Sequence, residues 1–266
     1  MAKDAKSAFC EDSRVKFPTL MHLMGMGFKY VSLKGLKTKY VEAPKTEFDP
    51  LTNILTDYFI DAYCTLNPKA EKKDAEDMLV KIQKSLQNDD LGRQFYNEIL
   101  LNTGERIIDL SSPVNFYKNN TFQVATEMTC GSKDSDNYRP DITIFVNGLP
   151  LAFIEVKKEN NHKGIQAETD RMKQRFVNPQ YRRFLNITQI MVFSNDMEYD
   201  NNEVTPTIGA FYATIGKKNT KYNCFREEGQ DSFPTARHIH QVTPEEEEVL
   251  LRDNNVPQYK NSSEYK

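Results

Sequence analysis

Apolar and polar positions divide the chain into a helical first part and a strand-rich second part. A short helix is expected from Ser13, with Leu20, Leu23 and Met24 apolar, ending at the glycines 25 and 27. The strand-like run 28–33 follows, and the polar stretch 34–50, with Pro44 and Pro50, reads as a loop. The clearest helical period in the chain comes next. Leu51, Ile54, Leu55, Tyr58, Phe59, Ala62, Tyr63 and Leu66 recur at the spacing that lines one side of a helix. Asp49 is the expected N-cap, Pro50 the first helical residue, and Asn67-Pro68 the stop. A charged helix over 72–87 and another over 90–101 complete this half, the latter with Leu91, Phe95, Ile99 and Leu100 on one side and a stop at Asn102-Thr103-Gly104.

After Gly104 the period changes from helical to alternating. Strands are expected at 106–110 and 122–129, then at 142–146 and 151–157 on either side of Asn147-Gly148-Leu149-Pro150. Asn-Gly between apolar runs is the strongest short-range hairpin signal, because both residues tolerate positive φ. A polar helix over 162–176, a shorter one to about 185, a buried-type strand 187–194 and a weaker strand 211–215 follow. The pattern predicts an α/β protein: a mixed β-sheet flanked by helices, with an N-terminal helical portion. Its expected divisions are a disordered start (1–12), a mainly helical portion (13–104), the sheet-bearing core (105–242) and a flexible linker (243–266). No internal repeat is visible.

Composition narrows the function classes. Hydrophobic residues make up 38% and charged residues 27%, ordinary for a soluble globular chain. The four cysteines form no C-x-x-C pair, which argues against a zinc site or a disulfide framework and predicts a reducing, cytoplasmic setting. No apolar run approaches a membrane span and no secretion signal opens the chain. The net charge of −3 argues against coating nucleic acid by bulk charge, yet charge is unevenly spread. Residues 139–183 carry nine Lys/Arg against five Asp/Glu, while acid gathers at 245–248.

The candidate chemistry lies in the predicted hairpin. Asp141 opens one strand and Glu155 lies near the end of its antiparallel partner, so the Asn-Gly turn brings both carboxylates to one end. Alternation puts Glu155 and Lys157 on one face and Val156 on the other. Two carboxylates and the Val156 carbonyl can hold a hard divalent cation such as Mg²⁺ or Mn²⁺. Such a cation polarises a phosphate and lowers the pKa of an attacking water. A neighbouring lysine can orient that water or offset transition-state charge. Spacing alone is equally compatible with solvated strand ends. What favours a site is Glu155 closing the run Leu-Ala-Phe-Ile, where a solvated charge is not expected, with a basic helix directly after it.

The run Arg139-Pro-Asp-Ile-Thr-Ile-Phe-Val-Asn-Gly-Leu-Pro-Leu-Ala-Phe-Ile-Glu-Val-Lys-Lys158 resembles the nuclease core of the R (HsdR) subunit of type I restriction–modification enzymes, in the PD-(D/E)xK group. Asn119-Asn120-Thr121-Phe122, Ile190 to Asn195, and Leu20 to Phe28 extend the resemblance, which covers most of 13–230 and is strongest over 119–195. It implies a restriction-endonuclease-like fold and assigns the catalytic triad to Asp141, Glu155 and Lys157. It further implies a Gln-x-x-x-Tyr motif on the next helix; Gln166 matches the Gln, but Asp170 stands where Tyr belongs. A Gln166 amide could bond a phosphate or a metal-bound water, and a solvated helix glutamine fits as well.

The resemblance also implies partners: double-stranded DNA, and the specificity and methylase subunits of a restriction complex. ATP would be bound only by a full-length subunit that carries a motor, and 243–266 would lead toward that motor. Gly209…Gly216-Lys217-Lys218 lacks the spacing and hydroxyl of a phosphate-binding loop. Lys158, Arg171, Lys173 and Arg175 are the expected phosphate contacts, and Glu98 or Glu127 a possible additional acid. His238 and His240 lack a third ligand, and Lys217, Lys218 and Lys221 fit a solvated loop as well as DNA. Two other readings remain open: a PD-(D/E)xK nuclease of repair or mobile-element function, and a non-catalytic DNA-binding module on the same fold.

Overall fold

The computed structural model describes residues 11–34, 41–42, 48–102, 104–130, 138–158, 164–195, 210–214, 223–224 and 240–256. Eight strands form one mixed sheet in the order β2-β1-β3-β4-β5-β6-β7-β8. They are β1 (Lys29–Val31), β2 (Val41–Glu42), β3 (Phe122–Thr126), β4 (Ile142–Val146), β5 (Leu149–Val156), β6 (Ile190–Ser194), β7 (Ala210–Thr214) and β8 (Asn223–Cys224). Pairing is antiparallel across β3–β4–β5 and β6–β7–β8, and parallel at β1–β2, β1–β3 and β5–β6. The expected α/β class holds. β1 and β2, which precede the division expected at 104, belong to the same sheet as the later strands.

Alternation along β5 and β6 separates two helical layers. Ile154, Val156 and Val192 face a cluster built with Val15, Leu20 and Met24, the last two on α1 (Phe17–Gly25), and with Val249 and Leu250 of α7 (Pro244–Asp253). Phe153, Met191 and Phe193 face Met172 of α5 (Gly164–Val177) and Phe184 and Leu185 of α6 (Arg182–Ile187). The turn end of the β4–β5 hairpin is covered by α2 (Thr56–Leu66) and α3 (Lys72–Ser85), where Val146 and Leu149 pack with Phe59, Tyr63 and Ile82. Each buried apolar side chain contributes on the order of 1.5–3 kcal/mol, so these layers fix the sheet rigidly.

The hairpin turn is locked by amides. Asn147 and Gly148 take φ of 53° and 75°, as the Asn-Gly signal predicts. A Cβ on Gly148 would lie 2.6 Å from the Leu55 carbonyl oxygen, so only glycine fits there. The Asn147 side chain accepts from the Thr121 N–H (2.8 Å) and donates to the Ile107 carbonyl (2.9 Å) and the Asn120 Oδ1 (2.8 Å). Asn120 in turn accepts from the Asp109 N–H and donates to the carbonyls of Asp109 and Phe116. These bonds replace the ladder expected for 106–110, which is irregular chain with Ile107 and Ile108 buried. They also seat α4 (Pro113–Asn119), capped by the Ser112 hydroxyl on the Asn115 N–H.

Two further expectations change. The helix predicted from Asp49 begins only at Thr56, because the Asp49 carboxylate accepts from the Leu51 N–H and Thr52 hydroxyl, and Asn53 takes a φ of 59°. The Leu55 N–H then bonds to Gly148 instead of to a preceding turn. At the other end, the acidic run expected as the start of a flexible linker forms α7 instead. Thr243 and Glu246 make a reciprocal capping box, and Pro244 occupies the first turn. Clustered glutamates there favour the positive end of the helix dipole. The His240 ring lies 2.8 Å from Glu246 Oε2. Among the described residues no helix is long and apolar enough to cross a membrane.

Asn120→Ala leaves several buried groups without partners, each costing about 1–3 kcal/mol. It is expected to lower Tm by roughly 5 °C or more in a thermal melt; an unchanged Tm would show that the amide lock carries no stability. Burial pushes the Glu246 carboxyl up, but the Thr243 N–H and the His240 ring outweigh it, and the net shift is downward. Its stabilisation is therefore full above the ordinary value of 4.5 and is lost as pH falls through the lower folded value. Glu246→Gln is expected to cost about 1 kcal/mol at neutral pH, and the gap from wild type should narrow in melts at acidic pH.

Candidate active site

The end of the hairpin away from its turn carries the predicted acids. β4 and β5 pair Ile142 with Ile154, so the residues just outside that pair, Asp141 and Glu155, fall at one edge of the sheet. Asp141 accepts the Val156 N–H on Oδ2 at 2.8 Å, which fixes its carboxylate beside the β5 backbone. Lys157 continues the parallel ladder, its N–H on the Ser194 carbonyl at 2.8 Å. Its ammonium bends back to the Val156 carbonyl at 2.7 Å and lies 4.0 Å from Asp141 Oδ2. The peptide of Val156 thus touches Asp141 through its N–H and Lys157 through its carbonyl.

Glu155 is 5% exposed, and a carboxylate so deep must be hydrogen-bonded and charge-compensated. The Tyr138 hydroxyl donates to Oε1 at 2.8 Å, and the Arg175 guanidinium lies 3.7 Å from the same oxygen. Arg175 stacks over the Tyr138 ring at 3.8 Å, so the two groups hold one another. Burial pushes the Glu155 carboxyl up to about 8, with the charges of Asp141 and Glu168 adding to the rise. A carboxyl held that high ionises readily only when further positive charge arrives beside it.

Glu168, on α5, is fully buried and joins this cluster. Its carboxylate takes Arg175 at 3.0 Å, Arg171 at 2.9 Å and Lys157 at 3.5 Å. Glu11 approaches from the N-terminal side, 4.0 Å from the Lys157 ammonium, and burial raises its carboxyl above the usual range. The π-helical stretch Asp12–Lys16 beside Glu11 is fastened by buried Lys16, which bonds both Asp12 and Glu127 at 2.6 Å. Glu127 is therefore an anchor, its N–H reaching the Asp141 carbonyl at 3.3 Å, and not a free acid. Glu98 lies exposed beside Gln94, away from the cluster.

The remaining expected residues divide by exposure. Lys158 is exposed at the end of β5. Lys173 is exposed and paired with Asp170, and Arg171 is largely exposed apart from its bond to Glu168. Arg175 was expected at a phosphate, but it turns inward to Tyr138, Glu155 and Glu168. Gln166 lies within α5, and its side chain is outside the described residues, as are His238, Lys217, Lys218 and Lys221. His240 pairs with Glu246. Sequence reasoning missed Glu168, Tyr138 and Glu11. Only Glu168 left a signal: with Arg171 and Arg175 it repeats at three and seven residues, one side of a helix.

Among the described residues no group of three or more His, Cys, Asp or Glu forms a metal cluster. The oxygens at the hairpin end are those of the Asp141 and Glu155 carboxylates and the Val156 carbonyl, all hard donors, with the Lys157 ammonium on the carbonyl and 4.0 Å from Asp141. That chemistry fits Mg²⁺ or Mn²⁺ and does not fit a soft metal.

A relative in Methanocaldococcus jannaschii, the "Putative type I restriction enzyme MjaIXP endonuclease subunit", is 27% identical over 226 residues, covering 77% of this chain. The chain spans only 20% of that relative's length. The family model for the type I restriction enzyme R protein N terminus matches residues 9–204, which include every member of the cluster from Glu11 to Arg175. The chain belongs to the family of type I restriction enzyme R protein N-terminal regions.

Proposed function

We propose that this chain is a metal-dependent endonuclease module of the PD-(D/E)xK kind, hydrolysing DNA phosphodiester bonds without sequence preference as part of a larger ATP-driven restriction complex in the cytoplasm. The observation that carries the reading is the Val156 backbone at the open end of an apolar hairpin, whose N–H bonds Asp141 and whose carbonyl takes the Lys157 ammonium, with the buried Glu155 next to it in the chain. Family membership supports a restriction endonuclease module, and the donor set supports the choice of cation.

Asp141, Glu155 and the Val156 carbonyl would hold Mg²⁺ or Mn²⁺. Bound there, the cation supplies Lewis-acid polarisation of the phosphate and an acidified water. The chain's own residues supply the rest. Tyr138 fixes the Glu155 carboxylate by its hydroxyl on Oε1, which leaves Oε2 as the oxygen for a cation. Asp141, held through Oδ2, presents Oδ1. Lys157 brings a positive charge to the same point, where it can bind a phosphate oxygen or orient the attacking water. Exposed Lys158, Arg171 and Lys173 extend the positive surface along β5 and α5 for the DNA backbone. Recognition of the target and ATP-driven movement belong, in this reading, to specificity and methylase subunits and to a motor outside this chain.

Asp141→Asn keeps an oxygen for the Val156 N–H and removes the charge. It is expected to abolish Mg²⁺- or Mn²⁺-dependent nicking of plasmid DNA while Tm stays within a few degrees of wild type; nicking at the wild-type rate would refute the assignment. DNA affinity of the isolated chain should fall in the non-specific range of about 10⁻⁴ to 10⁻⁶ M and drop with salt. Lys158→Ala combined with Lys173→Ala should flatten the salt dependence by about one unit of log–log slope per lost phosphate contact. ATP should change neither binding nor nicking. A sequence-specific, salt-insensitive complex would contradict this division of roles.

A further inference from the structure

Glu168 is the one fully buried carboxylate of the cluster with three cationic partners among the described residues, and the proposed chemistry does not use it. Distances show which charge it controls. Arg175 lies 3.0 Å from Glu168 but 3.7 Å from Glu155 Oε1, so it is hydrogen-bonded to the first and only electrostatically near the second. Lys157, by contrast, already sits on the Val156 carbonyl at 2.7 Å and lies 3.5 Å from Glu168. Arg175 therefore stands between Glu168 and an oxygen that the proposed cation needs. Without the Glu168 charge, Arg175 would be drawn onto Glu155, because in a buried setting an unpaired guanidinium takes the nearest available acceptor.

The position of Glu168 is set by the fold rather than by its local sequence. Met172, one helical turn on, is buried against Phe153 and Met191, and this packing turns the same side of α5 toward β5 and β6. Arg171 and Arg175, three and seven residues on, flank Glu168 on that side, and the Tyr138 ring supports Arg175 from beyond. Glu168 therefore reaches the site with its partners already arranged around it.

We propose that Glu168 is a positioning residue of this centre, holding Arg175 back from Glu155 so that this carboxylate stays open to a divalent cation. The inference rests on the metal-dependent reading above. It makes Glu168 neither a ligand nor a group that touches DNA. It acts through the Arg175 guanidinium.

The test is calorimetric titration of MnCl₂ into the full chain, with a thermal melt of each variant. Wild type should bind Mn²⁺, and Asp141→Asn should lose that binding; if wild type binds none, the metal reading itself fails and this inference with it. Given wild-type binding, Glu168→Gln should weaken Mn²⁺ affinity by roughly 10- to 100-fold, the scale of groups that orient metal ligands. Adding Arg175→Gln to Glu168→Gln should restore affinity to within about threefold of wild type, because the released guanidinium is then gone. A purely structural role for Glu168 predicts no such rescue. Should Glu168→Gln fail to fold, Glu168→Asp, which keeps the charge on a shorter arm, should show a smaller loss of the same sign. Wild-type affinity in a folded Glu168 variant, or a double variant no better than the single one, would overturn the proposal.

Discussion

The burial of Glu155 is the constraint on which the rest of the site depends. A carboxylate that closes an apolar strand run must be compensated or lose its charge. Here compensation comes from three directions: the Tyr138 hydroxyl, the Arg175 guanidinium and, one step removed, the Lys157 ammonium. These cations in turn require Glu168, and through Lys157 they approach Asp141 and Glu11. The cluster is thus one connected network of carboxylates and cations.

That unit is held by parts of the chain far from it in sequence. The hairpin turn is fixed by Asn147 and Asn120 at one end, which keeps the strands in register at the other. Lys16 ties the N-terminal π-helical stretch to the end of β3, so that Glu11 arrives beside Lys157. On the opposite face of the sheet, α1 and α7 bury Val156 and Ile154, which leaves alternation no choice but to send Glu155 toward α5. Rigid packing on both faces is what allows a cluster of buried charges to persist at this end of the sheet.

Much of this was legible in the sequence, and for identifiable reasons. Asp141, Glu155 and Lys157 lie on one hairpin whose turn is written as Asn-Gly, so local rules suffice to bring them together. The α/β class followed from the change of period after Gly104. Glu168, Tyr138 and Glu11 could not be read in the same way, since each reaches the site through tertiary packing. Residues 106–110 read as a strand because Ile107 and Ile108 are apolar, yet side-chain amides take the backbone groups that a neighbouring strand would have taken. The acidic run before Val249 read as flexible, although its Thr243–Glu246 spacing is that of a capping box and its apolar pair Val249 and Leu250 is buried. Asp49 looked like a helix cap and is the head of a turn, a distinction set by the contact between Leu55 and Gly148.

The most direct test of the central claim is anomalous diffraction from crystals of this chain soaked in Mn²⁺. The account predicts a single strong peak at the open end of the hairpin, within about 2.0–2.4 Å of a carboxylate oxygen of Asp141, a carboxylate oxygen of Glu155 and the Val156 carbonyl, with the Lys157 ammonium displaced from that carbonyl. An unchanged cluster, with Lys157 still on the Val156 carbonyl and no peak beside Asp141 at a saturating Mn²⁺ concentration, would contradict it.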